Sequence, residues 1–113
     1  MDDAEIQERI RHYMQLDETE LVFEIARAGQ EDISLHSPEA WLEIGREKVA
    51  AAWPKLRELI CGQGDLLKKP EFDLAVGIAG LLASQFGGPL AALLAAYVVK
   101  RSVTQLCGEE SPP

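Results

Sequence analysis

Between Asp73 and Lys100 the chain carries no charged side chain, and Gly87-Gly88-Pro89 interrupts this apolar run near its middle. A membrane-spanning helix needs about 20 consecutive apolar residues, so the run as a whole is long enough to raise that reading. The Gly-Gly-Pro break divides it instead into two helices, because glycine closes a helix and proline is tolerated in the first turn of the next. Small residues recur at helical spacing in both halves: Ala75, Ala79 and Ala83 with Gly77, Gly80 and Ser84, then Ala91, Ala95 and Ala92, Ala96. Such stripes let helix backbones approach closely. Gly77 and Gly80 each cost about 1 kcal/mol relative to alanine inside a helix, which predicts a neighbouring helix packed on the glycine face.

Upstream the pattern is amphipathic. Ile6, Ile10, Tyr13 and Met14 recur at spacings of three and four and predict a first helix over 3–15. Asp17 and Glu20 have capping-box spacing and open a second helix with Leu21, Val22, Ile25 and Ala28 on one face, separated from the first by a break near Leu16. Gly29 is placed to end it, and residues 29–37 read as a loop. Ser37-Pro38-Glu39 is the clearest local signal: a serine N-cap, a proline at the first helical position and a carboxylate at the positive helix end. The third helix runs to about Cys61, with a kink or break expected near Ala50–Trp53 because Pro54 lies inside it. Residues 62–70 read as a turn. A fourth helix runs from 71 to about 86, and a last one from Pro89 to Cys107.

The predicted fold is therefore all-α: one small bundle of four to five helices around a central apolar C-terminal hairpin. Residues 1–37 form an amphipathic N-terminal part, 38–61 the Pro-kinked helix, 71–107 the hairpin and 108–113 a tail. Short connections make neighbouring helices antiparallel, which places Cys61 and Cys107 at the same end of the bundle.

Charge restricts the function classes. Of the 19 acidic side chains 17 lie in the first 73 residues, against 9 of the 11 basic ones, and the net charge is -8. Nucleic acid is excluded as a partner on this count, since phosphate contacts need a basic face. The acidic start of the chain lacks the basic and apolar regions of a secretory leader, so a cytoplasmic location is expected. There the two cysteines would remain thiols, acting as small apolar residues at helix C-termini.

Candidate chemistry is sparse. Glu20–Glu24, Glu39–Glu43 and Glu43–Glu47 place carboxylates on one helical face, but no Glu-x-x-His accompanies them, and Arg46 and Lys48 beside them suggest a solvated face. His12 and His36 stand apart from both cysteines. Trp41 and Trp53 are expected as core anchors. No catalytic, cofactor-binding or metal-binding residue is assigned. The expected function is a non-enzymatic protein–protein interaction or adaptor module, docking a partner or a second copy as a homodimer through Leu81, Leu82, Phe86, Leu90, Leu94 and Val98. The alternative is a membrane-active hairpin restrained by the acidic helices, with Lys68-Lys69 and Lys100-Arg101 as its headgroup-facing flanks.

Overall fold

The computed structural model describes residues 3–28 and 37–108. It is all-α, with helices α1 (Asp3–Tyr13), α2 (Glu18–Arg27), α3 (Pro38–Ile60), α4 (Glu71–Phe86), α5 (Gly88–Arg101) and α6 (Val103–Gly108), and a 3-10 turn over Leu66–Lys68. The expected break between the first two helices is present. Asp17 accepts a hydrogen bond from the Glu20 N–H at 2.7 Å while Glu20 accepts one from the Asp17 N–H at 3.3 Å. This reciprocal pair satisfies two backbone donors that the helix start leaves free. Ser37 Oγ likewise accepts from the Ala40 N–H at 3.2 Å. The proposed stop at Gly29 and the loop over 29–36 lie outside the described residues, as do His36 and the tail from Glu109.

α3 passes through Pro54 without a break, with Pro54 on its exposed side. Trp41 and Trp53 are both core residues, 3% and 1% exposed. The Trp53 Nε1 is buried with no hydrogen-bond partner. Val22 of α2 meets α3 at Gly45, where a methyl group would collide with the Val22 carbonyl oxygen and approach its Cγ1 to 2.7 Å. Only glycine permits this closeness of the two backbones. Lys48, one turn further along, turns inward: its ammonium donates to the carbonyls of Ile25 (3.4 Å), Ala26 (3.2 Å) and Ala28 (2.9 Å). The lysine thus caps carbonyls at the end of α2, where few intrahelical donors remain, and complements its negative pole.

The two halves of the apolar hairpin differ. Every residue of α5 from Ala91 to Val99 is buried, surrounded by α1, α2, α4 and α6. α4 buries a single stripe, Leu74, Ala75, Ile78, Ala79 and Leu82, and exposes Gly80, Ser84 and Gln85. The expectation that a helix covers the glycines of α4 is corrected. Gly77 is covered by the Leu66 side chain from the 3-10 turn, and nothing lies within 4 Å of the place a Gly80 Cβ would occupy.

The last helix is also not continuous. Ser102 adopts φ 107°, a backbone region that side-chain-bearing residues rarely enter, and α5 ends there. The chain resumes as α6, which buries Leu106 and packs against α3. Cys107 thereby reaches Cys61, Cα to Cα 5.5 Å, and the two form a disulfide. The cysteines do share one end of the bundle, as the antiparallel arrangement requires, but the expectation of two thiols is corrected to a covalent bridge.

Candidate functional site

α2 packs on both α3 and α5, which scarcely touch each other. The seam between them presents one face of α5: Leu90, Leu94, Tyr97 and Arg101 recur at i, i+4, i+7 and i+11 and align over about 16 Å. Two concavities open along this seam, one at the hairpin turn and one at the far end of α5.

The first is apolar, about 310 Å³, and is lined by Ile25, Lys48, Ala51, Ala52, Phe86, Leu90 and Leu94. Phe86 closes α4 and Leu90 begins the first full turn of α5, so the positive-φ residue Gly87 between them sets the angle at which both meet the cavity. Both are half-buried, and Leu94 forms the cavity wall. Lys48 contributes its alkyl stem, its ammonium being held by the three α2 carbonyls.

The six contact residues expected from sequence separate into two groups. Leu82, Leu94 and Val98 are 0%, 1% and 0% exposed, so they belong to this chain's own core; Leu82 and Val98 offer no outward surface, and Leu94 supplies only the inner wall of the apolar cavity. Leu82 continues the buried stripe of α4, and Val98 follows Leu94 one turn along α5, so helical periodicity turns both inward. Leu81, Phe86 and Leu90 remain half-buried, and of these the structure brings Phe86 and Leu90 together at the cavity while Leu81 lies outside it.

The second concavity is a polar cleft of about 200 Å³, lined by Glu18, Thr19, Val22, Leu42, Arg46, Tyr97 and Arg101. Arg101 Nη1 donates to Glu18 Oε1 at 3.3 Å, joining residues at opposite ends of the chain. The Arg101 Nε is buried without a hydrogen-bond partner. Burial pushes the Tyr97 phenol above its ordinary pKa of 10.0; Arg101 and Arg46 pull it down and the Glu18 carboxylate pushes it up, with a net rise. Of these residues the sequence singled out only Arg101, as a headgroup-facing flank of a membrane-active hairpin, whereas it pairs with Glu18. Glu18 and Arg101 are 83 positions apart, and Arg46 sits among glutamates as surface arginines commonly do.

The glutamate pairs do not gather into a site: Glu20, Glu39, Glu43 and Glu47 face solvent and Glu24 pairs with Arg27. His12 is exposed. Among the described residues, no group of three metal-ligating side chains forms, and no helix is long and apolar enough to cross a membrane. Compared with known proteins, the chain matches no family model, no curated protein and no solved structure.

Proposed function

We propose that this chain is a non-enzymatic interaction module that associates with a second copy of itself through the turn of the α4–α5 hairpin. The observation that carries this reading is the half-open apolar cavity at that turn, with Phe86 and Leu90 at its mouth. Electrostatics favour the same end. Each copy carries a net charge of -8, and the segment from Leu74 to Val99 is the longest stretch of the chain free of charge. Contact there brings together the part of each copy with the fewest charges, and added salt strengthens it by screening the repulsion between two acidic chains.

Sedimentation equilibrium tests this. A dimer is expected at micromolar concentration, tighter at high salt and lost in Phe86→Asp and Leu90→Asp with folding retained. A strict monomer at high micromolar concentration overturns it. The cytoplasmic location belongs to the same reading and stands in tension with the Cys61–Cys107 bridge, since reducing compartments keep thiols reduced. Alkylating the free thiols of protein in acid-quenched cells decides it: two modified cysteines support a cytoplasmic protein, none argues for an oxidising compartment.

A further inference from the structure

We infer that the polar cleft between α2, α3 and α5 is a binding site for a small monocarboxylate, with Arg46 and Arg101 as its anchors. In a chain of net charge -8, two of the six arginines line one cleft of about 200 Å³ together with the Thr19 and Tyr97 side chains. Such a concentration of positive charge on an acidic molecule is opposite to the field of the whole and marks a place where an anion is favoured. The volume is below the roughly 300–1,000 Å³ typical of drug-sized ligand sites, so the occupant is a small group.

The donors in the cleft are only partly used. Arg101 makes one hydrogen bond, through Nη1, to Glu18, and its Nε has no partner. Among the described residues Arg46 makes neither a hydrogen bond nor an ion pair. Tyr97 is 5% exposed, and its hydroxyl has no hydrogen-bond partner among the described residues. A guanidinium binds a carboxylate through two parallel N–H donors, which gives both strength and orientation. Glu18 already demonstrates the match, since a carboxylate is what Arg101 holds. Charge then selects among anions. With two guanidiniums and one carboxylate the cleft is singly positive, so a monocarboxylate neutralises it, whereas a phosphate dianion leaves excess negative charge on a protein that is already acidic. The site is separate from the hairpin turn: no residue lines both concavities.

The test is an NMR titration of the full chain with sodium acetate, and separately with inorganic phosphate and with chloride at matched ionic strength. Acetate is expected to give saturable shifts at the Thr19 and Arg46 amides and the Tyr97 ring. Arg46→Ala and Arg101→Ala should each weaken binding by about tenfold or more, the loss of a hydrogen bond to a charged group. Glu18→Gln, which removes the resident competitor, should tighten it. Arg27→Ala, an arginine outside the cleft, should leave it unchanged. Should Arg101→Ala fail to fold, Arg101→Lys keeps the charge without the paired donors and should still weaken acetate. Non-saturating shifts, an acetate affinity unaltered in Arg46→Ala, or tighter binding of phosphate than of acetate would each overturn the assignment.

Discussion

α4 and α5 have nearly the same composition, yet one is buried on every side and the other on a single stripe. Both draw on leucine, alanine and glycine and neither has a charge after its first turn until Lys100. The difference lies in their neighbours. α5 is enclosed by α1, α2, α4 and α6, whereas α4 rests on α5 with α1, α3 and the 3-10 turn to its sides. Hydrophobicity determines how much surface a helix must hide, and the order of the other helices decides which copy of the pattern goes to the centre.

Substitutions can break that comparison. The largest effect is expected from Val98→Asp, which places an unpaired carboxylate in the fully buried α5 and should cost more than about 4 kcal/mol. The matching change on α4, Leu81→Asp at a half-buried position, should cost less than about 1 kcal/mol. Urea unfolding of the two variants checks the contrast, and equal losses would show that the two helices are buried alike. Next in size is reduction of the Cys61–Cys107 bridge. It closes a sequence separation of 46 residues, and the chain-entropy relation for that loop gives about 4 kcal/mol as an upper value. Urea midpoints with and without a dithiol reductant measure it.

The glycines sharpen the contrast. Gly45→Ala forces α2 and α3 apart at the Val22 carbonyl and should destabilise by about 1–3 kcal/mol, as overpacking of a tight contact does. Gly80→Ala should have the opposite sign, a gain of about 0.5–1 kcal/mol, because the added methyl meets nothing and the helix loses a flexible residue. A loss at Gly80 would mean that its face is covered in solution. The smallest effect concerns pH. Burial raises the Tyr97 pKa above 10.0 in the fold, so its contribution to stability is complete below pH 10 and is lost as pH climbs through the higher folded value. Tyr97→Phe should flatten the decline in melting temperature at alkaline pH, and an unchanged slope would remove Tyr97 as its source.

Local signals carried much of the architecture. The Asp17–Glu20 capping box, the Ser37-Pro38-Glu39 start and the Gly87 turn are each contained within four residues, and each marks a boundary that the structure shows. What the sequence concealed depends on residues far apart. The break at Ser102 has no local glycine or proline to announce it; it coincides with α6 folding back onto α3. Lys48 looks like any surface lysine until α2 ends against it. The polar cleft escaped for the same reason, since its arginines come from α3 and α5 and its carboxylate from α2. Of the six apolar residues expected to make contact, Leu82, Leu94 and Val98 are core, because which face of a uniformly apolar helix turns inward depends on its neighbours rather than on its own composition.

The Cys61–Cys107 bridge has a mechanical consequence. It fastens the end of α3 to α6, so α4 and α5 lie wholly within a covalent loop while α1, α2 and α3 lie outside it. At about 3.3–3.6 Å per extended residue, a separation of 46 residues withholds about 150 Å of contour from any force applied to the two chain ends. Tension can straighten α1, α2 and α3 one after another. With the bridge intact it cannot draw out the charge-free hairpin, which remains gathered at the knot while the acidic helices are pulled away.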